Sequence, residues 1–72
     1  MTRNIQLLDV VALTADLPGK RLLRGQVGTV VETLSPGVFE VEFSDDQGHA
    51  YAQLAIKENQ LLVLHYQPQR AA

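Results

Sequence analysis

Hydrophobic and polar positions alternate most regularly between Phe39 and Phe43, where Phe39, Val41 and Phe43 are separated by Glu40 and Glu42. A period of two puts the three apolar side chains on one face of a β-strand and both carboxylates on the other. Upstream, Gly25 and Gly28 flank Val27 and lead into Val30 and Val31, the β-branched run of a bent strand leaving a loop. Between these runs, Ser35-Pro36-Gly37 supplies a residue fixed at a φ of about −65° and then one that tolerates φ > 0, the chemistry of a type II turn. Arg24 to Ser44 therefore reads as a β-hairpin around which the rest of the chain packs.

The segment Ile5 to Thr14 is ambiguous by period. Ile5, Leu8, Val11 or Ala12 and Ala15 recur at helical spacing, but Val10, Val11 and Thr14 are β-branched and Asp9 would sit inside the helix. The preferred reading is a strand over Asp9 to Thr14 with Val11 and Leu13 facing inward. Ala15 to Leu23 is then a loop punctuated by Pro18-Gly19, with Leu17, Leu22 and Leu23 pinning it to the core. Asp45-Asp46-Gln47-Gly48 predicts a type I turn closing into a glycine bulge, and so a second hairpin directly after the first.

His49 to Ile56 alternates again, with Ala50, Ala52, Leu54 and Ile56 on one face and His49, Tyr51, Gln53 and Ala55 on the other. The small Ala50 and Ala52 suggest a crowded inner face opposite Phe39 or Phe43. Lys57 to Gln60 is long enough for one 3-10 turn, and Leu61 to Leu64 makes a short closing strand. Gln67 to Ala72, around Pro68, reads as a frayed tail. The expected core is Phe39, Val41 and Phe43 with Val11, Leu13, Val30, Leu54, Ile56 and Val63.

Size limits what such a chain can hold. Seventy-two residues make one domain, 1–72, with its core at about 7–66 and a flexible tail over 67–72. A chain this short buries only about 60% of its unfolded surface, which leaves little room for a substrate cleft. It has no cysteine, so neither a disulfide nor a thiolate zinc site is available, and its eleven leucines and eight valines must supply the core. No apolar run approaches the roughly 18 residues of a membrane span, and a soluble cytoplasmic protein is expected.

Five short strands, a loop after the first, two tight hairpins and a 3-10 turn before the last resemble an SH3-like five-stranded β-barrel. At a narrower level, three segments are similar to a family of small bacterial proteins, domain of unknown function 4926. They are Leu7-Leu8-Asp9-Val10-Val11-Ala12-Leu13-Thr14 with Asp16-Leu17-Pro18, then Leu23-Arg24-Gly25-Gln26-Val27-Gly28-Thr29-Val30-Val31-Glu32, then Val41-Glu42-Phe43. The resemblance covers about Leu7 to Leu64 and implies mainly a fold, because the family carries no established activity. Gly25 to Val31 also resembles the core of a KOW motif, although any SH3-like barrel needs glycine where a loop enters a sharply bent strand.

Charge weighs against nucleic acid. Between Gly25 and Ile56 lie Glu32, Glu40, Glu42, Asp45 and Asp46 with no lysine or arginine, and the formal net charge is −2. Phosphate neutralisation drives nonspecific nucleic-acid affinity, so only Lys20, Arg21 and Arg24 offer such a partner a local site. Glu40 and Glu42, about 7 Å apart on one strand face, form an acidic patch with Glu32. Its simplest role is a solvated face that discourages edge pairing, and its next is docking of a basic partner. Catalysis by a carboxylate pair would require unequal burial.

His49 and His65 are too few to hold zinc without cysteine, and the Asp45-Asp46 loop lacks the alternating oxygen ligands of a calcium site. Ser35 and Ser44 have no triad-like context, so no enzyme, cofactor or metal is expected. Tyr51, His65 and Tyr66 combine apolar bodies with polar tips and are candidate contact residues. The reading is a protein-interaction module that docks another protein, or a second copy of itself, through a strand edge or through Glu32, Glu40, Glu42, Tyr51, His65 and Tyr66. The alternative is a KOW-like nucleic-acid-associated module using Lys20, Arg21 and Arg24.

Overall fold

A computed structural model describes residues 5–69 of the chain. Five strands follow one another as β1 (Val10–Leu13), β2 (Val27–Ser35), β3 (Val38–Ser44), β4 (Ala50–Lys57) and β5 (Leu61–Val63), with 3-10 turns at Pro18–Lys20 and Glu58–Gln60. They form one antiparallel sheet in the order β4-β3-β2-β1-β5. The fold is therefore all-β with a 3-10 turn before the last strand, as the pattern predicts. β4 and β5 are the two edges, and among the described residues no ladder joins them to close the sheet.

The central hairpin follows from its turn chemistry. Ser35 pairs with Val38 across Pro36-Gly37, and Gly37 takes φ 76°, which a type II turn demands at that position. The β2–β3 register shifts between Val30 and Glu32 and again between Thr33 and Ser35, so β2 carries extra residues that bend it. In the next turn Asp45 Oδ1 accepts hydrogen bonds from the backbone N–H groups of Gln47 and His49, both at 2.9 Å. Gly48 donates to the Asp45 carbonyl and holds φ 84°, and the β3–β4 register shifts between Phe43 and Ser44, as a turn closing into a bulge requires.

Val11, Leu13, Val30, Phe39, Val41, Phe43 and Ile56 are buried, as the alternation predicts, and Leu54 and Val63 pack against them half-buried. Ile5, Leu22 and Leu61 join the core as well. Ile5 reaches it through a turn rather than a helix: Asp9 N–H bonds to the Gln6 carbonyl, Leu8 adopts φ 71°, and Leu8 N–H bonds to the Val30 carbonyl at 2.7 Å.

Two expectations are corrected. Leu23 does not pin the loop: it is 61% exposed, while Leu22 is buried and bridges to Leu17. Ala50 does not line the inner face: it lies beyond the Phe43/Ser44 register shift and is exposed, leaving Ala52 opposite Phe43. Of the tail, Gln67 to Gln69 are exposed without regular structure, and residues 70–72 lie outside the described residues.

Candidate functional site

The inward set Val11, Leu13, Val30, Val41 and Phe43 leaves the alternate positions on the opposite, outer face of the sheet. The ladders arrange that face in rows. Val10 pairs with Thr29, Thr29 with Glu42, and Glu42 with Gln53, a row across four strands. Leu64, whose N–H bonds to the Val10 carbonyl at 2.8 Å, extends it past β5. The adjacent row runs Leu62, Ala12, Val27. The outer face is thus apolar over β5, β1 and the start of β2, and acidic over β3 and the far half of β2.

In the acidic half, Glu32 and Glu40 are direct cross-strand partners, with Glu42 next on the same face of β3. The three carboxylates singled out by sequence are therefore brought together. Opposed like charges are destabilising, and Gln53 Nε2 donates to Glu40 Oε2 at 3.2 Å across the β3–β4 ladder.

The apolar half escaped the sequence reading. Leu62 is 55% exposed, and Ala12, the short side chain between Leu62 and Val27, only 8%. Its signal was available: Val10-Val11-Ala12-Leu13 and Leu61-Leu62-Val63-Leu64 are apolar at every position, whereas the outward positions of β3 are glutamates. A strand apolar on both faces has two faces to cover.

The aromatic candidates lie apart along the sheet. Tyr51 sits on β4, but past the register shift its side chain turns to the core side of the sheet rather than to the face of Gln53 and Ala55 that alternation predicts: its ring lies 6.3 Å from that of Phe43, and its hydroxyl accepts a hydrogen bond from Gln26 Nε2 at 3.0 Å. His65 and Tyr66 follow β5 at the other edge and are exposed. Lys20, Arg21 and Arg24 are exposed on the loop around the first 3-10 turn. Arg21 holds φ 59° as that turn's cap, and Arg24 N–H bonds to Asp16 Oδ1, which sets a carboxylate within the basic loop. Among the described residues no polar or charged residue is buried, and no three His, Cys, Asp or Glu are grouped to hold a metal ion.

Fold and surface together define a small all-β domain with a single five-stranded antiparallel sheet, one face of which carries apolar and acidic halves. The sequence model of the family described as domain of unknown function (DUF4926) matches residues 7–63, and the chain belongs to that family. No curated protein and no solved structure matches the chain. Among the described residues no helix is long and apolar enough to cross a membrane.

Proposed function

We propose that this domain is a non-catalytic protein-interaction module with the strand order of an SH3-like barrel left open between β4 and β5. Its outer face takes a partner segment that is basic on one side and apolar on the other. The observation that carries the reading is the register of that face: the row Leu62, Ala12, Val27 beside the row that ends in Glu42. Apolar area supplies the affinity on desolvation, and Glu32, Glu40 and Glu42 select a cationic partner and repel phosphate.

The test is affinity capture from native cell extract with immobilised wild-type domain, Leu62→Asp and the double variant Glu40→Lys/Glu42→Lys, each verified by circular dichroism. A partner retained by the wild type and lost from both variants is the expected outcome. A mobility-shift assay at about 0.15 M salt serves as the counter-test. Salt-sensitive retention of RNA or DNA that disappears when Lys20, Arg21 and Arg24 are all changed to glutamine would replace this reading with the KOW-like one.

A further inference from the structure

The two edges of the sheet differ in a way that bears on self-association. β5 is a three-residue edge, whereas β4 runs eight residues from Ala50 to Lys57. Short strands, prolines and edge charges are the usual guards against strand addition. β4 has none of these before its final lysine, and its one register shift lies at its first residues, leaving Ala52 to Lys57 regular.

Its free hydrogen-bonding groups can be assigned. Glu58 N–H bonds to the Gly37 carbonyl of the central hairpin's turn at 2.9 Å. Backbone groups alternate in direction along an antiparallel strand. Ile56, Leu54 and Ala52 therefore face β3, and Gln53, Ala55 and Lys57 turn their N–H and C=O groups outward.

We propose that a second copy of this chain pairs antiparallel along β4, about a twofold axis at Gln53, to make one continuous ten-stranded sheet. The proposal is independent of the outer-face reading, because it uses the edge rather than the face. Under this symmetry Gln53 meets Gln53, Ala52 of each copy meets Leu54 of the other, and Lys57 of each comes to the start of the other's β4, beside its Asp45–His49 turn.

Charge is what selects a second copy over a foreign strand. The centre of β4 is uncharged, and its ends are opposite in sign: Asp45 and Asp46 in the turn before it, Lys57 at its finish. Asp45 Oδ2 lies 3.6 Å from His49 Nδ1, so a Lys57 brought to that turn has the partner's carboxylates beside its ammonium at both ends. Lys57 forms no ion pair within its own chain among the described residues. Edge pairing alone buries a small area, so a micromolar dimer is the expected strength.

Sedimentation equilibrium of the full chain at about 0.1 mM, where a dimer with Kd of about 10 μM is mostly associated, tests this. The wild type should sediment as a dimer. Lys57→Glu should raise Kd at least about tenfold, and Gln53→Pro, which removes an outward N–H, should give monomer. Should Gln53→Pro lose the β-sheet circular dichroism spectrum, Ala55→Lys replaces it. The outer-face variant Leu62→Asp should leave the dimer intact. A monomeric wild type, or a dimer whose Kd is unmoved by these edge changes, would overturn the proposal.

Discussion

Gly28 and Phe43 stand directly opposite each other where β2 crosses β3, and the hydrogen on Gly28 is what lets the ring in. A Cβ there would lie 2.7 Å from Val41 Cγ1, 2.8 Å from the Glu42 carbonyl oxygen and 3.0 Å from Phe43 Cδ2. One of these neighbours is backbone, which cannot rotate away. Gly28→Ala should therefore destabilise the domain by about 1–3 kcal/mol, the usual cost of overpacking. Urea denaturation measures it, with Gly19→Ala, where a Cβ meets nothing within 4 Å, as the control.

Phe43 is fully buried and Glu42 lies on the other face of the same strand. Phe43→Ala should cost about 3–5 kcal/mol, a large share of the roughly 5 kcal/mol or slightly more that holds so small a domain together. Glu42→Ala should change stability by less than about 0.5 kcal/mol. Chemical denaturation that ranked the two the other way would shift the strand register by one and invert both faces.

The opposed Glu32 and Glu40 make a different kind of prediction. Glu32→Lys turns a like-charged cross-strand pair into an opposite one and should stabilise the fold by about 0.2–1 kcal/mol. The same change should weaken capture of the basic partner. Thermal melts beside pull-downs test both, and a stabilised variant with undiminished capture would detach the acidic half from binding.

Leu8 occupies a left-handed conformation at φ 71° while leaving 70% of its surface exposed. A leucine gains nothing locally from such a backbone, and that conformation costs about 1–2 kcal/mol. Leu8→Gly relieves the strain but adds freedom to the unfolded chain, an opposing term of about 0.4–1 kcal/mol. Stability should hold or rise by up to about 1.5 kcal/mol; a clear drop in denaturation midpoint would mean the side chain packs more than its exposure indicates.

Where one face of a strand was polar, the sequence was easy to read. Glu40 and Glu42 fixed the orientation of β3, and Pro36-Gly37 fixed the turn before it. Where every position is apolar, periodicity is silent. Leu61 to Leu64 has no alternation, and only the pairing of Leu13 with Leu61 decides that Leu61 is buried and Leu62 exposed. Leu22 and Leu23 are equally indistinguishable as letters. The left-handed Arg21 and the Leu17–Leu22 bridge turn one in and the other out. The acidic half of the candidate face was legible for the same reason as β3. The apolar half depended on a register between strands some fifty residues apart, such as Ala12 with Leu62.

That long-range pairing also sets how the domain would respond to tension. β1 and β5 are antiparallel, and the Val10 carbonyl is hydrogen-bonded to Leu64 N–H. The chain therefore enters and leaves this ladder at the same end. A pull applied through the flanking segments would load the bonds one at a time, opening Val10–Leu64 first and the Leu13–Leu61 pair last, as a zipper opens. Strands held in shear would instead share the load across the ladder. Through these flanks the sheet is mechanically soft, and β5 would peel away while the hairpins of β2, β3 and β4 stay paired.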